Sequence, residues 1–192
     1  FKENYVYQHP DIIKSVTKTK SNVLKITHNG DLDDFRNGDV FLLRHHVYDG
    51  NVFNVFKTSN ITFSGVKIYA AAGMGWLIEN RTERFQLLDC VIGLDPEHVN
   101  DHRISATADG VHIANTNGKF RISGCDFSFM GDDDVNVHDN LLSVTEVVDK
   151  NTVGYYTNAN NLAVGDTVIF NSERFPDLDF SAKVTAMNGE TI

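Results

Sequence analysis

An internal repeat with a 24-residue step limits the folds open to this chain more than any other feature. Three eight-residue segments are apolar at their first, third, sixth and eighth positions, and they are Ile61–Ile68, Phe85–Ile92 and Phe120–Phe127. Alternation within each half is the period of two that is typical of a strand with one buried face. Repeats at this spacing bury their apolar faces against one another, as the coils of a solenoid do. We therefore predict an all-β chain that winds as a parallel β-helix.

The spacing of the repeat also predicts a loop and a pair of stacked acids. The copies begin at residues 61, 85 and 120, so the second interval of 35 residues exceeds the first of 24. A coil takes roughly 20–30 residues, and the extra length predicts a loop at 94–105, which is polar and contains Pro96. The 24-residue step also relates 111–113 to 135–137 and, carried back two residues, places Asp109 on Asp133. Neighbouring rungs lie about 4.8 Å apart, so the two carboxylates should be stacked close together. Stacked like charges destabilise a fold, and a pair with no function on the surface is therefore disfavoured.

The repeat divides the chain into three predicted regions. Residues 1–50 hold alternating strands that lead into the helix, and residues 51–140 hold the coils and the acidic cluster. From residue 141 the spacing is lost and short strands joined by turns follow, which predicts a small antiparallel β-barrel, appended to or inserted in the helix, over 141–192. The chain begins at Phe1 without an initiator methionine, so we expect a processed piece of a longer chain whose barrel is cut short.

Composition narrows the possible partners. The formal net charge of −9 disfavours a nucleic-acid backbone and tolerates neutral sugars. The sequence contains no run of about eighteen apolar residues that could span a membrane. Cys90 and Cys125 share the repeat position of Val66, so both are interpreted as small buried apolar residues. A disulfide between them depends on the separation of their Cα atoms, and two cysteines provide no zinc framework.

Asp109, Asp132 and Asp133 are the predicted catalytic residues, because the repeat brings their three carboxyl groups within a rung or two of one another. Hydrolysis of a glycosidic bond needs one carboxylic acid to protonate the leaving oxygen and one carboxylate to activate water or attack the sugar. This chemistry requires no cofactor. Inverting enzymes hold the two groups roughly 6.5–9.5 Å apart and retaining ones roughly 5–5.5 Å, so the sequence leaves the stereochemistry open. A structural calcium site is the alternative, because acidic loops bind calcium through oxygen ligands.

Six further residues are predicted to contact the substrate: His112, His138, Asn136, Arg44, Trp76 and Asp134. Two histidines beside one acidic cleft favour sugar contact over a purely structural role. Arg44 is interpreted as the wall of the cleft, with a surface turn as the alternative. Trp76 is most simply a core residue and is alternatively a platform for a sugar face. Asp134 should alternate in direction with Asp133, which places it outside direct catalysis.

Four motifs occur in order along the chain. They are Gly-Asp-Val-Phe-Leu-Leu-Arg ending at Arg44, Ala-Ala-Gly-Met-Gly ending at Gly75, Thr-Ala-Asp-Gly-Val-His ending at His112, and Gly-Asp-Asp-Asp-Val-Asn-Val-His ending at His138. Together, over about residues 38–170, they resemble glycoside hydrolase family 110. The resemblance implies a bacterial, secreted or periplasmic exo-α-1,3-galactosidase that removes terminal galactose from glycans with inversion. It also implies a right-handed parallel β-helix, a pectate-lyase-like solenoid, with an added small β-barrel.

The same resemblance assigns roles to the aspartates. Asp132 is the implied general acid, and Asp109 and Asp133 hold and activate the water, with the general base left open between these two. The chain departs from the family at Asp134, where a small residue is usual, and at Asp139, where a glycine is usual. Both departures add negative charge beside the sugar subsite, so the preference for linear or branched galactosides stays open.

Two other interpretations remain at the level of sequence, and the oligomeric state is not fixed. A polygalacturonase-like β-helix hydrolase also uses a lone aspartate followed by a pair. The Gly-His-Gly and Arg-Ile-Lys strings of those enzymes do not occur in this sequence, and an acidic cleft would repel a polyanionic pectin. The second alternative is a non-catalytic β-helix that binds carbohydrate and holds calcium on its aspartates.

Overall fold

The computed structural model describes residues 13–29, 36–40, 42, 47–98, 102–156, 162–171, 180–189 and 191–192. The chain separates into two compact units, Phe1–Leu43 and Arg44–Ile192. All regular structure in the described residues is β-strand, which confirms the all-β prediction. In this part of the chain no helix is long and apolar enough to cross a membrane.

The first unit contains an antiparallel hairpin. Strand β1 is Ile13–Lys20 and strand β2 is Val23–His28, and Val16 pairs with Ile26. Both strands are rich in β-branched residues, which favour extended backbone, and a two-residue connection suits a tight hairpin.

The second unit is built on three parallel sheets. Its first ten strands follow in chain order: β3 Phe53–Phe56, β4 Ser59–Ser64, β5 Lys67–Ile68, β6 Trp76–Glu79, β7 Glu83–Leu88, β8 Val91–Ile92, β9 Val111–Ala114, β10 Phe120–Ser123, β11 Asp126–Phe127 and β12 Val135–His138. Strands β3, β6, β9 and β12 form sheet 1, strands β4, β7 and β10 form sheet 2, and strands β5, β8 and β11 form sheet 3. The chain therefore passes through the three sheets in turn, three times in succession, and then returns to sheet 1.

The register of these sheets confirms the repeat. Phe85 pairs with Ile61 on one side and with Phe120 on the other. Ile92 pairs with Ile68 and with Phe127 in the same way. Sheet 1 keeps the 24-residue step through the pairing of Val111 with Val135. The described residues within 94–105 contain no strand, in agreement with the predicted loop.

All three sheets contribute to one hydrophobic core. Sheet 1 supplies Trp76 and Ile113, sheet 2 supplies Phe85 and Leu87, and sheet 3 supplies Ile92, and each of these is at most 1 % exposed. Each strand presents alternate residues to this core, which is the reason for the apolar pattern of the repeat. Burial of a large side chain of this kind stabilises the fold by about 1.5–3 kcal/mol, so the stacked apolar positions hold the three sheets together.

Cys90 and Cys125 belong to the same core, as predicted. Cys90 is fully buried and Cys125 packs against the cluster. Both are free thiols, and the backbone N–H of Cys90 donates to Sγ of Cys125 over 3.4 Å. Burial raises the pKa of the Cys90 thiol, so this cysteine stays protonated and acts as a small apolar side chain.

The remaining strands are antiparallel. Strand β13 (Ser143–Asp149) pairs with β14 (Thr152–Tyr156), and β15 (Thr167–Phe170) pairs with β16 (Phe180–Lys183). They form two separate two-stranded sheets among the described residues. The closed barrel and the division into three regions stay predictions.

An ion pair ties a turn of the parallel part to the turn before β15. The guanidinium of Arg81 donates through Nη1 to Oδ2 of Asp166 over 2.6 Å and through Nη2 to Oδ1 over 3.2 Å. The hydrogen bond from Arg81 is the main reason that the pKa of Asp166 lies below its usual range. Both side chains are about one-third exposed, so solvent weakens the pair, and its contribution to stability is about 1 kcal/mol at most.

Candidate active site

Three carboxyl groups converge where two neighbouring strands of sheet 1 begin. Asp109 lies two residues before β9, and Asp132 and Asp133 lie just before β12. One carboxylate oxygen of each residue lies within 4.8 Å of those of the other two. Asp109 is only 3 % exposed, Asp132 is half-buried and Asp133 is exposed. The structure therefore brings together the three residues that the repeat predicts to be close.

The backbone of adjacent rungs fixes the position of these aspartates. Gly110 donates its N–H to the carbonyl of Asp133 over 2.9 Å, and Val111 donates to the carbonyl of Asp134 over 3.1 Å. Gly131, which directly precedes Asp132, donates its N–H to the carbonyl of Ala106 over 2.9 Å. These ladder bonds set Asp109 beside Asp133, with Asp132 directly before it.

Both rungs repeat the same local pairing between an aspartate and the residue three positions later. His112 Nδ1 lies 2.6 Å from Oδ2 of Asp109, and Asn136 Nδ2 donates to Oδ2 of Asp133 over 3.0 Å. His112 and Asn136 are themselves partners in the register of sheet 1. Burial of a carboxylate costs free energy unless the carboxylate accepts hydrogen bonds. The contact with His112 provides such a hydrogen bond to the buried Asp109. Asn136 provides the corresponding, weaker hydrogen bond to the exposed Asp133.

The two predicted histidines form a direct contact. His138 Nε2 lies 3.1 Å from His112 Nε2, and the rings meet edge to face with centroids 4.9 Å apart. An ionised Asp109 can only accept, so Nδ1 of His112 carries a hydrogen. With His112 neutral, its Nε2 accepts and Nε2 of His138 donates. A hydrogen-bonded chain thus runs from the exposed His138 through His112 to the buried Asp109.

Glycines allow the close approach of the rungs at this point. A Cβ atom on Gly110 would lie 2.7 Å from the carbonyl oxygen of Asp134 and 3.2 Å from Cδ1 of Ile92. A Cβ atom on Gly75, one rung away, would lie 2.6 Å from the carbonyl oxygen of Gly110. Side chains at these positions would push the strand starts apart, so the spacing of the carboxylates depends on both glycines.

Trp76 is a correction to the sugar-platform interpretation. Its side chain is 0 % exposed. Its ring stacks on Phe53, with centroids 5.5 Å apart, and meets Phe63 edge-on at 5.9 Å. A sugar platform needs an accessible ring face, so the structure assigns Trp76 to the core, which was the other interpretation of this residue.

The other predicted contact residues differ in how they are placed. Asp134 is exposed and lies outside the three-carboxylate group, and its carbonyl serves the ladder bond to Val111. Asn136 and the two histidines lie beside the aspartates, as described above. Arg44 lies outside the described residues, and its predicted place in the wall of the cleft stays a prediction.

The three aspartates also form the cluster that could hold a metal ion. Their oxygens lie within 4.8 Å of one another, and carboxylate oxygens are the ligands that calcium prefers. Calcium normally takes six to eight oxygen ligands, so the three carboxylates would provide only part of such a shell.

Sequence reasoning misses two features of the site. Gly75 and Gly110 are 35 residues apart, the same interval that separates Phe85 from Phe120, and that shared step could have identified them as stacked. Contact between His112 and His138 depends on the side-chain rotamers, which the repeat does not specify.

No protein-family model matches the chain. Among curated proteins, the chain is 28% identical over 141 residues to "Alpha-1,3-galactosidase A" of Bacteroides fragilis (strain YCH46), which covers 69% of this chain and 22% of that protein. It is 29% identical over 116 residues to "Alpha-1,3-galactosidase B" of Akkermansia muciniphila, covering 60% of this chain and 14% of that protein. It is 22% identical over 111 residues to "Alpha-1,3-galactosidase B" of Bacteroides thetaiotaomicron, covering 58% of this chain and 18% of that protein.

These relatives are named glycosidases, in agreement with the resemblance that the four motifs indicate. The chain spans 22% or less of the length of each of these relatives. The similarity therefore concerns one part of each relative.

Proposed function

We propose that this chain is the catalytic portion of a glycoside hydrolase that removes terminal α-1,3-linked galactose from glycans with inversion. The observation that carries the proposal is the group of three carboxylates within 4.8 Å of one another at the start of β9 and β12. The names of the three relatives support the substrate class. Glycoside hydrolysis needs paired carboxyl groups and no cofactor.

Asp132 is the general acid in this proposal. Half-buried beside the carboxyl groups of Asp109 and Asp133, it lies next to the residues that would hold the water, as a general acid of a glycosidase must. The proton passes to the glycosidic oxygen as the bond to the anomeric carbon breaks. A water attacks that carbon from the opposite face as the bond breaks and gives its proton to a carboxylate, so that free galactose and a shortened glycan result.

Asp109 and Asp133 hold the attacking water. Two hydrogen bonds of about 2.8 Å that meet at a water near the tetrahedral angle span about 4.5 Å between the accepting oxygens. The separation of these carboxylates, within 4.8 Å, fits one shared water. In each of them a hydrogen bond from the residue three positions later fixes Oδ2 and leaves the other oxygen for the water, so either carboxylate can act as the general base.

Inversion is included because the resemblance implies it. Inverting enzymes usually hold acid and base roughly 6.5–9.5 Å apart, and retaining ones roughly 5–5.5 Å. The nearest oxygens here are closer than either range. The short distance alone favours retention, in which one carboxylate attacks the sugar. A water shared between Asp109 and Asp133 favours inversion. The anomer of the released galactose distinguishes the two mechanisms.

The fold that we propose for this activity is a right-handed parallel β-helix with a small β-barrel. The ordered passage of the chain through sheets 1, 2 and 3 and their shared core support the helix. The two antiparallel strand pairs after residue 141 are candidates for part of the barrel.

Galactose release from linear and fucose-branched α-1,3-galactosides tests the proposal. We expect release by the wild-type chain and loss of at least about 100-fold in kcat for Asp132→Asn, in line with the usual contribution of general acid catalysis. Asp126→Asn is the matched control, because Asp126 is exposed on β11 of sheet 3, and it should retain wild-type rates. Normal turnover by Asp132→Asn would remove Asp132 from the acid role.

A calcium-binding carbohydrate module is the second candidate, and the same three-carboxylate group favours it. Calorimetric titration with calcium distinguishes the two candidates. Saturable calcium binding that Asp132→Asn and Asp133→Asn abolish, together with no release of galactose, would identify the binding module. Hydrolysis that persists in the presence of EDTA would identify the enzyme.

A further inference from the structure

Sheet 2 carries a polar and basic outer face on strands that do not include the three aspartates. Two rows of side chains cross its strands, as the register of Phe85 with Ile61 and Phe120 requires. One row is Asn60, Arg84 and Lys119, and the other is Thr62, Gln86 and Arg121. Rungs about 4.8 Å apart and alternate residues about 7 Å apart give the two rows a footprint of roughly 10 Å by 7 Å.

Hydrogen bonds across the rungs hold this face in place. Arg84 Nε donates to Oδ1 of Asn60 over 2.9 Å, and Gln86 Nε2 donates to Oγ1 of Thr62 over 3.1 Å. Arg84 Nη1 also meets Oε2 of Glu83 at 2.5 Å. The guanidinium is therefore fixed before any ligand arrives, which lowers the ordering cost of binding.

The two rows line a shallow groove of about 350 Å³, with Phe85 and Phe120 at its edge. The two rings stack 5.2 Å apart and are nearly parallel, at 5°. Phe85 is buried, whereas Phe120 is 41 % exposed. Phe85 and Phe120 alternate with the two rows and belong to the core-facing positions of the repeat, so the groove offers a ligand mainly the hydrogen-bond donors and acceptors of the six polar side chains.

The charge of this face is opposite to that of the whole chain. Arg84, Lys119 and Arg121 bring three positive charges, and Glu83 brings the neighbouring negative one, so the face has a net charge of +2. The chain as a whole has a formal net charge of −9. Among the described residues, neither Lys119 nor Arg121 forms an ion pair. Two cations without a carboxylate partner on an acidic protein favour an anionic ligand.

We propose that this groove binds one sugar residue that carries an oxyanion, either a sulfate or a carboxylate. Lys119 and Arg121 contact the oxyanion, Arg84 adds charge, and the amides of Asn60 and Gln86 contact ring hydroxyls. A nucleic acid or another long polyanion is disfavoured, because it would extend beyond this small face and the chain as a whole has a formal net charge of −9. The footprint is that of one or two sugar rings.

Amide-resolved NMR titration of the full chain tests this site with three probes that share one ring configuration: galactose, galactose 6-sulfate and galacturonic acid. We expect at least one of the two anionic sugars to shift amides of β7 and β10 with an affinity at least about fivefold higher than that of galactose. A response to galactose 6-sulfate assigns a sulfate ligand, and a response to galacturonic acid assigns a carboxylate. Raised salt should weaken the binding, because the groups are exposed.

Paired variants make the test specific. The double substitution of Lys119→Gln and Arg121→Gln should weaken binding by roughly five- to tenfold, since it removes two exposed charges that each contribute modestly. The double substitution of Lys150→Gln, on the turn between β13 and β14, and Lys18→Gln, on β1, is the charge-matched control, and it should bind as the wild type does.

Three results would overturn the site. These are equal affinity for galactose, unchanged affinity in the double variant, and equal binding of inorganic sulfate, which would mean an adventitious ion only. Binding is measured here as shifts on sheet 2 and not as hydrolysis, so a negative result leaves the proposed galactosidase activity unaffected.

Discussion

Replacing Gly110 by alanine should disturb both the stability of the chain and the geometry of the three aspartates. The new Cβ atom would lie 2.7 Å from the carbonyl oxygen of Asp134 and 3.2 Å from Cδ1 of Ile92. A carbon and an oxygen need about 3.3 Å, so the start of β12 must move by roughly 0.6 Å. The Ile92 side chain is fully buried in the core and has little room to yield.

The size of the effect follows from that displacement. Overpacking of a buried site costs about 1–3 kcal/mol, which corresponds to a fall in Tm of roughly 3–10 °C for a chain of this length. Asp133 is bonded through its carbonyl to the N–H of Gly110, so it shifts with the strand. A displacement of 1 Å can cost about 100-fold in rate, and we expect at least a tenfold fall in kcat here.

Thermal unfolding and galactose release should be measured on Gly110→Ala beside Gly50→Ala. Gly50 is the matched control, because a Cβ atom there would have no neighbour within 4 Å. It should keep the wild-type Tm and kcat. A Gly110→Ala variant that matches the wild type in both measurements would refute the claim that close approach of the rungs positions the carboxylates.

Three further predictions concern single contacts. His112→Ala should lower kcat roughly tenfold or more with little change in KM, because Asp109 loses its short hydrogen bond and with it the position of the base. A fall in kcat matched by an equal rise in KM would contradict that role, and His102→Ala, at an exposed position before β9, is the control. Trp76→Ala should destabilise the chain by about 3–5 kcal/mol in denaturant unfolding, as expected for a large core side chain. Loss of activity at unchanged stability would restore the sugar platform. Asp166→Asn should cost up to about 1 kcal/mol at neutral pH. Because the pKa of Asp166 is lowered in the folded state, its contribution is complete above the unfolded value near 4 and is lost as the pH falls through the lower folded value. Urea unfolding should therefore show a difference between wild type and variant at pH 7 that disappears in strong acid, and a difference that persists there would contradict the ion pair.

The repeat predicted the register of the parallel sheets because each copy of the repeat buries the same positions. Ile61, Phe85 and Phe120 stack on one another as that pattern requires, and the placement of Asp109 beside Asp133 follows from the same step. The spacing of the apolar residues therefore specifies the register between neighbouring strands, because a slip of one residue would turn every apolar side chain outward.

Features that depend on side-chain direction were harder to predict from the sequence. Trp76 pairs with Val111 in sheet 1 and so faces the core, but only the 35-residue step beyond the loop reveals that pairing. The contact between His112 and His138 depends on two χ1 choices. The burial of Asp109, which is 3 % exposed, depends on tertiary packing that no local sequence pattern specifies.

Proton NMR of the wild-type chain during hydrolysis of α-1,3-galactobiose tests the central claim most directly. The anomeric signals distinguish α- from β-galactose before mutarotation mixes them. The account predicts that β-galactose appears first, as attack by a water held between Asp109 and Asp133 requires. First appearance of α-galactose, or no release of galactose at all, would contradict it.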